Sequence, residues 1–531
     1  MSEKTSYILH GPKDEYDIPK ESLGKTIFNR LNNLNTEDVI NIDAKTKTKV
    51  LRCGELLETS KKYCDLYKRM GVEKGDVISI VSENSVDYFV PVIAGFYMGI
   101  AVNPVNPAYS VGELQRCLLI AQPRLIFTSD SVLDTILRVK DEMKLKTPVL
   151  LINSASRTNP YVKCADDLLQ ENDIELKNFT PMEFDYTNQV ALLLFSSGTT
   201  GLPKGVMLTH QNLRLAVGLC SHPKYGNVIP GDVNLIIPPF YHIYGSLIQL
   251  IGLITSTVSV IMDKFVPKLF FETIQEYKVS KLYAVPSLLL FLSQTPLIKD
   301  YNLSSITEIF VGGAPLSKEL LMQIYKQQPS AVIKQLYGMT EVAGPCTIQN
   351  DKNKFNSVGC LGAGIMAKVI NPETREPLGP NQVGEICFKG AALMKGYVPT
   401  QEFLDENGFY MSGDAGYYDN DGFFYIVDRY KELIKHKGFQ VPPAELESII
   451  LTYPAVKDCG VVGIPNERAG EVPLAFVALK ENTTCTEKEI VDFVAERISV
   501  QKRLYGGVRF VKEIPKNSNG KIMRRTLREL I

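Results

Sequence analysis

The chain has 531 residues, of which 45% are hydrophobic and 22% are charged, a balance typical of a globular protein rather than a disordered or fibrous one. It contains 58 Lys and Arg against 59 Asp and Glu, a net charge of −1, so no overall positive field exists to attract nucleic acid, and we expect no such partner. The ten cysteines form no CxxC pair, which favours reduced thiols over a disulfide framework or a zinc site.

The N-terminal residues 1–17 do not have a basic start followed by an apolar run, so we expect no secretory signal and an intracellular protein. The terminal RTLRELI is not a peroxisomal tripeptide, which favours the cytoplasm, or the peroxisome if a C-terminal signal has been trimmed. Polar residues interrupt the most apolar segment, 248–262, so it predicts a buried helix and strand and no membrane span. The sequence leaves the oligomeric state open, and a monomer is the simplest expectation.

From the N-terminus onward, strand-like apolar runs at 77–81, 124–127, 148–152 and 190–195 alternate with stretches of helical spacing at 86–98 and 111–120. This alternation predicts βαβ units whose parallel strands are buried on both faces. We therefore expect an α/β protein with a large N-terminal domain of layered mixed or parallel sheets and flanking helices.

A domain boundary is predicted near residue 430. A turn-rich, aromatic segment at 410–422 gives way to a basic stretch at 429–438, and a separate α+β pattern then continues to residue 531. We expect a large N-terminal domain over 1–428, a small mobile α+β domain over 429–531 and a hinge at 428–431. The predicted elements of the second domain are strands at 460–463 and 474–477 and helices at 444–450, 488–498 and 522–530.

The strongest local signal is the segment 196–205, SSGTTGLPKG, which directly follows a buried strand. Glycines allow the backbone N–H groups to turn inward, hydroxyl side chains add donors and a lysine adds charge, a combination that suits a polyphosphate. The spacing is not that of a Walker loop. The alternative is a flexible surface turn. The phosphate-site candidates are Ser196, Ser197, Gly198, Thr199, Thr200, Gly201 and Lys204.

This segment resembles the signature loop of the adenylate-forming superfamily, which includes acyl-CoA synthetases, 4-coumarate–CoA ligases and beetle luciferases. Five further segments resemble that family's core motifs in the same order, over nearly the whole chain. They are 337–341 (YGMTE), 410–414 (YMSGD), 426–429 (IVDR), 435–447 (KHKGFQ followed by PAELE) and 515–521 (PKNSNGK).

The reaction that this resemblance implies begins with attack of a carboxylate on the α-phosphorus of ATP, which needs charge stabilisation more than a protein nucleophile. We expect Lys204 at the β- and γ-phosphates and Thr340 at the α-phosphate. Glu341, with Thr340, is the candidate Mg²⁺ site, because Mg²⁺ prefers oxygen ligands and bridges phosphates. Asp414 and Arg429 are expected at the ribose, where a simple turn is the alternative reading of the aspartate. The expected adenine slot comprises Gly312, Gly313, Ala314, Pro315 and Tyr337, and Gly338 is a further ATP-site candidate.

Two lysines in the predicted C-terminal domain are expected to act in turn. The resemblance implies that Lys521 reaches the carboxylate and the α-phosphate for adenylation. Rotation about the hinge would then withdraw it and present Lys435 and Gly438 to the pantetheine arm of coenzyme A. Taken alone, each lysine reads as a solvent-exposed charge.

The segment 238–245, PPFYHIYG, resembles the acid-site segment of 4-coumarate and fatty acyl ligases, in which the histidine gates the acid pocket. A buried structural histidine is the alternative. Relatives that activate amino acids carry an aspartate in this segment, and this chain does not, so we expect an acid without an ammonium group. The acid-pocket candidates are His242, Tyr244, Gly245, Gly312, Gly338 and Met339.

The sequence therefore predicts an ATP-dependent ligase that joins a fatty or arylpropenoic acid to coenzyme A through an acyl-adenylate, with Mg²⁺ as cofactor. A luciferase-like monooxygenase is the alternative, because residues 221–227 resemble a loop of beetle luciferases. That loop is shorter here and lacks the arginine of the luciferin pocket, and Tyr241-His242 replaces a His-His pair. Any oxidation of luciferyl-adenylate is expected to be weak.

Overall fold

The fold is taken from a computed structural model, which describes residues 7–152, 162–169, 177–197, 203–314, 316, 318–351, 353–354, 356–399, 402–437, 439–517 and 520–531. Within these ranges, the helices are α1 Leu23–Asn32, α2 Cys53–Arg69, α3 Phe89–Met98, α4 Val111–Ala121, α5 Leu133–Glu142, α6 His210–Ser221, α7 Ile243–Thr255, α8 Pro267–Tyr277, α9 Pro286–Gln294, α10 Lys318–Gln327, α11 Pro443–Ile450, α12 Glu487–Ala495 and α13 Arg524–Arg528.

The strands are generally short, and the longest two pair with each other near the C-terminus. They are β1 Leu9–His10, β2 Val39–Asp43, β3 Val50–Arg52, β4 Val77–Val81, β5 Ala101–Val105, β6 Leu125–Thr128, β7 Val149–Leu151, β8 Val190–Ser197, β9 Pro203–Thr209, β10 Val233–Ile236, β11 Val258–Ile261, β12 Lys281–Ala284, β13 Glu308–Val311, β14 Val332–Met339, β15 Gly344–Ile348, β16 Cys360–Leu361, β17 Ile365–Ile370, β18 Gly384–Gly390, β19 Gly396–Val398, β20 Tyr410–Tyr418, β21 Phe424–Arg429, β22 Ile434–His436, β23 Phe439–Val441, β24 Val456–Asn466, β25 Gly470–Leu479 and β26 Val508–Phe510.

Two large mixed sheets form the main body of the protein. One has the strand order β19-β9-β8-β5-β4-β6-β7 and the other β16-β15-β14-β13-β12-β10-β11-β2-β3. Strands β4 to β8 pair in parallel, whereas β8, β9 and β19 pair antiparallel. The two sheets share one hydrophobic core through α1, α2, α3, α6 and α7, and α3 is buried along its whole length. The predicted α/β layering is confirmed.

A third sheet, β1-β17-β18-β20-β21, is antiparallel, and the last residues form a small sheet of β22 to β26 with three helices. The predicted strand at 460–463 extends to Val456–Asn466 because its backbone pairs with β25 well beyond the apolar run. The predicted helix at 522–530 is shorter, at Arg524–Arg528. The division at 428 remains a prediction.

The apolar segment at 248–262 forms the end of α7 and strand β11, as predicted. None of the helices in the described ranges combines the length and the apolar character that a bilayer crossing requires.

Candidate active site

A single cavity of about 1300 Å³ lies where the third sheet, the two large sheets and the loop before α13 meet. It brings together most of the described site candidates, although they are spread over more than 300 residues of sequence. Those that line it are Ser196, Lys204, His242, Tyr244, Gly312, Gly313, Gly338, Met339, Thr340, Glu341, Asp414, Arg429 and Lys521.

The remaining candidates fall into two groups. Gly245, Ala314, Tyr337 and Lys435 belong to the described chain but do not line this cavity. The other candidates lie outside the described residues; they are Gly198, Thr199, Thr200, Gly201, Pro315 and Gly438. For Ser197, the backbone is described but the side chain is not.

At one end of the cavity, the antiparallel pair of β8 and β9 places Ser196 opposite Lys204. The Ser196 hydroxyl donates to Oε1 of Glu341 over 2.8 Å, and the Tyr397 hydroxyl donates to the same oxygen over 3.0 Å. The Lys204 ammonium lies 5.1 Å from the centre of the Tyr397 ring. This end therefore presents a cation and a carboxylate side by side, which suits a phosphate chain and its metal ion.

The donor set at this end fits Mg²⁺ rather than a metal bound only by protein. No cluster of three or more His, Cys, Asp or Glu side chains occurs among the residues that the structure describes. Glu341 is buried at the cavity wall, and Mg²⁺ is usually bound by one or two carboxylates together with substrate phosphates and water. Glu341 would hold the ion, with the neighbouring hydroxyl of Thr340 also facing the cavity.

Strand pairing in the third sheet places the expected ribose residues next to each other. Asp414 on β20 is in register with Arg429 on β21, and Oδ1 of Asp414 lies 3.3 Å from Nε of Arg429. Within β20, where the pairing with β18 shifts register, Gly413 has φ +74°, a region that favours glycine. The Gly413 N–H donates to Glu385 over 3.0 Å, so Glu385 holds the backbone next to Asp414 in place.

Tyr337 was predicted in the adenine slot; it is half-buried and is not among the residues that line the cavity, so its contact with adenine stays a prediction. Its hydroxyl donates to Oδ2 of Asp414 over 2.7 Å. Burial and the Asp414 charge raise the pKa of Tyr337 well above its ordinary value, so the phenol stays protonated and remains a donor. Its position makes Tyr337 a support for Asp414.

At the opposite end, His242 caps the N-terminus of α7. Its Nδ1 accepts the N–H of Tyr244 over 3.2 Å, which leaves the proton on Nε2. Burial lowers the pKa of His242 to about 4, so the imidazole is neutral near pH 7. A neutral ring with a fixed Nε2–H can donate a hydrogen bond to an oxygen of a bound acid without adding a charge.

The wall beyond His242 is mostly apolar or aromatic. The Tyr244 hydroxyl donates to the carbonyl oxygens of Phe310 and Ala284, over 3.1 and 3.4 Å, at the carboxyl ends of two neighbouring strands. The side chains that α7 and the β12–α9 segment contribute to the lining carry no charge, and one of them, Ser287, is polar; they are Ile243, Tyr244, Leu247, Tyr283, Val285, Ser287, Leu288 and Phe291.

Gly245 was predicted to line the acid pocket, but its position answers a packing requirement instead. A Cβ atom at this residue would lie 2.3 Å from the carbonyl oxygen of Pro239 and 2.4 Å from that of Pro238. Only glycine allows α7 to start this close to the preceding loop. Gly245 thereby fixes the loop that carries His242.

Lys521 reaches the cavity from the loop before α13. Its N–H donates to Asn517 Oδ1 over 2.9 Å, and Gly520, at φ +75°, approaches α9 so closely that its Cβ would lie 3.3 Å from Ser287 Oγ. Burial, and then the nearby charge of Arg429, lower the pKa of Lys521. The lysine is thus held next to the ribose residues rather than in solvent.

Lys435 lies elsewhere, exposed on strand β22, which pairs with β23 and β25. Its N–H donates to Glu471, and its neighbour His436 is buried and stacks on Tyr505. The structure therefore has Lys521 in the cavity and Lys435 outside it, the arrangement predicted for adenylation.

Sequence reasoning missed Tyr397 and Glu385. Both line the cavity; Tyr397 contacts the candidate Glu341, and Glu385 accepts a hydrogen bond from Gly413, next to the candidate Asp414. Tyr397 lies on the three-residue strand β19, which pairs with β9 almost 200 residues earlier in the chain. No local pattern marks such a strand, and only the sheet pairing brings its tyrosine to Lys204 and Glu341.

Comparison with known proteins agrees with this geometry. Residues 34–398 match the family described as "AMP-binding enzyme", and residues 445–521 match "AMP-binding enzyme C-terminal domain". The chain is 38% identical to a luciferin 4-monooxygenase of Photuris pensylvanica, over 98% of both chains. It is 37% identical to the probable 4-coumarate–CoA ligase 1 of Dictyostelium discoideum, over 88% of this chain and 87% of that protein.

Among solved structures, ATP-bound MatB from Rhodopseudomonas palustris superposes with a TM-score of 0.83 at 25% identity, covering 96% of this chain and 98% of that one. The ordered motifs, the shared cavity and these matches lead to one conclusion: the chain belongs to the AMP-binding family of ATP-dependent, adenylate-forming enzymes.

Proposed function

We propose that this enzyme is an ATP-dependent acid–CoA ligase that forms an acyl-adenylate from a fatty or arylpropenoic acid and then transfers the acyl group to coenzyme A. The observation that carries the proposal is the single cavity, in which the cations Lys204, Arg429 and Lys521 share one space with His242 and with the uncharged side chains of α7 and α9. A cavity that joins cations to an uncharged wall suits a reaction between ATP and an organic acid.

In the first half-reaction, a carboxylate oxygen of the acid bonds to the α-phosphorus while the bond to the β-phosphate oxygen breaks and pyrophosphate leaves. Lys204 would neutralise the departing phosphates, and Lys521 would stabilise the charge that builds on the α-phosphate and the attacking carboxylate. Asp414 would accept hydrogen bonds from the ribose hydroxyls. Mg²⁺, bound at Glu341, would supply further neutralisation of phosphate charge.

In the second half-reaction, the thiol sulfur of coenzyme A bonds to the acyl carbon, AMP leaves and the thiol proton is released. Lys521 occupies the cavity in the present arrangement, so access for the thiol requires that it withdraw. The predicted hinge at 428–431 would allow this movement, and it would bring the exposed Lys435 on β22 towards the cavity. The resemblance of residues 435–447 to the family motif supports this assignment.

The acid is proposed to be uncharged apart from its carboxylate. The side chains that α7 and α9 contribute to the lining carry no charge, so none of them could pair with an ammonium group; the charged lining residues Glu113 and Arg116 belong to α4. Tyr244 closes the wall by bonding to two strand-end carbonyls. The neutral Nε2–H of His242 would donate to the substrate carboxylate.

A luciferase-like monooxygenase is the second candidate, because relatives named luciferin 4-monooxygenase are as similar to the chain as the 4-coumarate–CoA ligases. Such an enzyme would share the adenylation step and differ only after it. We favour the ligase because residues 221–227 lack the arginine that luciferases place at luciferin. Light emission with luciferin, ATP and oxygen in a luminometer, at rates comparable to adenylation, would favour the monooxygenase instead.

The first experiment is acid-dependent exchange of labelled pyrophosphate into ATP over short, medium, long and aromatic acids, followed by CoA-dependent release of AMP with the acids that respond. We expect exchange with a subset of these acids and AMP release that requires coenzyme A. The absence of exchange with the whole panel would contradict the proposal, and exchange without CoA-dependent AMP release would contradict the ligase assignment.

The two lysines separate the half-reactions. We expect Lys521→Ala to lose pyrophosphate exchange but still to form thioester from supplied acyl-adenylate, whereas Lys435→Ala should keep exchange and lose thioester formation. Lys512→Ala, an exposed lysine outside the cavity, is the matched control and should change neither step. Equal losses in both steps for both variants would refute this division of roles.

A further inference from the structure

Tyr397 lies between two side chains of opposite charge. Its ring faces the Lys204 ammonium at 5.1 Å, and its hydroxyl donates to Glu341 over 3.0 Å. The residue is only 6% exposed. Within the described residues, Lys204 and Glu341 form no ion pair with each other.

A lysine and a glutamate at the same end of a cavity attract each other, and the attraction strengthens as water is excluded. A direct pair would neutralise both groups and compete with their ligands. Tyrosine can satisfy the two charges separately, because its ring face attracts a cation and its hydroxyl donates to a carboxylate. Phenylalanine could do only the first, and leucine could do neither.

The direction of the hydrogen bonds follows from the partners. A carboxylate accepts only, so the Tyr397 proton points to Glu341. The hydroxyl of Tyr410 lies 3.2 Å from that of Tyr397 and therefore donates to it.

The backbone fixes the tyrosine relative to both charges. Tyr397 pairs with Val206 on β9, the strand that carries Lys204. Three residues before it, the Met394 N–H donates to the backbone carbonyl of Glu341 over 2.8 Å. The short segment from Met394 to Val398 therefore bonds both to β9, which carries Lys204, and to the backbone of Glu341.

We propose that Tyr397 is a positioning residue that keeps Lys204 and Glu341 apart, so that the lysine binds the phosphate tail and the glutamate binds the Mg²⁺ ion that accompanies it. This inference rests on the proposed function, because it concerns the same nucleotide end of the cavity.

The test measures binding of inorganic pyrophosphate by titration calorimetry, without Mg²⁺ and over a range of Mg²⁺ concentrations, so that turnover is not involved. The variants are Tyr397→Phe and Tyr397→Leu. The control is Tyr418→Phe, which removes a hydroxyl bonded to a backbone carbonyl elsewhere in the third sheet. Thermal unfolding of each variant identifies any that is not folded.

For Tyr397→Phe, we expect metal-free pyrophosphate affinity within about twofold of the wild type, because the ring still faces Lys204. The Mg²⁺ concentration for half-maximal enhancement should rise roughly tenfold, the usual effect of losing a hydrogen bond to a charged group. Tyr397→Leu should show that rise and also a fall of roughly threefold or more in metal-free affinity. Tyr418→Phe should match the wild type.

Two results would overturn the proposal: Tyr397→Phe that keeps the wild-type Mg²⁺ dependence, or Phe and Leu variants that behave identically in both titrations. If the wild-type protein binds no pyrophosphate with or without Mg²⁺, the proposed function fails first. Wild-type binding with unaffected Phe and Leu variants rejects only the role of Tyr397.

Discussion

Replacement of Arg524 by methionine is expected to lower the free energy of unfolding of the segment after the predicted hinge, and the loss should grow as pH rises. Arg524 is buried and donates to Glu447 through two bonds of 2.8 and 2.9 Å, to Glu432 over 2.6 Å and to the Val461 carbonyl over 3.1 Å. Removing one partner of such a buried pair typically costs about 3–5 kcal/mol, because it leaves a carboxylate without compensation.

The pH dependence follows from Glu447. Burial raises its pKa to about 7 although Arg524 acts in the opposite direction, so loss of the guanidinium raises that pKa further. A carboxyl whose pKa is higher in the folded than in the unfolded protein stabilises the fold at low pH and loses that contribution as pH rises through the folded pKa. In the wild type, this loss of stability with rising pH ends near pH 7, the pKa of Glu447. In the variant, the higher pKa lets stability keep falling above pH 7, by about 1.4 kcal/mol per pH unit.

Hydrogen exchange of the β24 amides at pH 6.5 and 8.5 measures the local free energy of opening. Arg525→Met is the matched control, because Arg525 is exposed and pairs only along the helix with Glu529, an interaction worth less than about 1 kcal/mol. A second variant, Arg524→Met with Glu447→Gln, should reduce the pH dependence to the part that comes from Asp428, whose buried carboxyl Arg524 also stabilises in its charged form. An Arg524→Met deficit that is equal at the two pH values, or no larger than that of the control, would refute the reasoning.

Three other changes test the cavity. Gly245→Ala should lower the melting temperature by several degrees and raise the KM for the acid, because the added Cβ would lie 2.3 Å from a backbone oxygen. Gly312→Ala is the control and should keep the wild-type melting temperature, because the nearest atom to its Cβ would be 3.6 Å away. Pyrophosphate exchange should decline on the alkaline side below the ordinary pKa of lysine, because the lowered pKa of Lys521 means that its active, protonated form is lost as pH rises through that value; a decline only above pH 10.5 would contradict this. Tyr337→Phe should raise the KM for ATP roughly tenfold with kcat little changed, because it removes a 2.7 Å hydrogen bond to Asp414, the carboxylate proposed to bind the ribose, and Tyr418→Phe should leave the KM unchanged.

Local sequence was sufficient to predict the helices and strands whose apolar residues recur with a clear helical or strand period. The run at 77–81 is a strand over the same residues, and 111–120 is the helix Val111–Ala121, because apolar periodicity fixes which backbone geometry can bury those side chains. Element ends were less well predicted. Strand β24 continues to Asn466 because it pairs with β25, and a partner strand is not visible in the local pattern.

The candidate site was predictable where a motif carries its own chemistry. A hydroxyl-rich loop with a lysine, an acid after a threonine and a Gly-Asp turn each indicated a role from residue type alone. The function of Gly245 and Tyr337 could not be predicted in this way. Whether a side chain faces the cavity or supports a neighbour depends on the backbone that packs against it, as Pro238 and Pro239 do for Gly245.

The sequence by itself determined the family, the α/β class and the types of groups available for adenylation, because these depend on short-range order along the chain. Only the tertiary structure decided which groups meet. Ser196 and Glu341 share a hydrogen bond across 145 residues, Tyr397 reaches Lys204 through sheet pairing, and the Nε2–H of His242 follows from a helix cap. Such contacts are set by the packing of distant strands and helices, and no local pattern of residues encodes them.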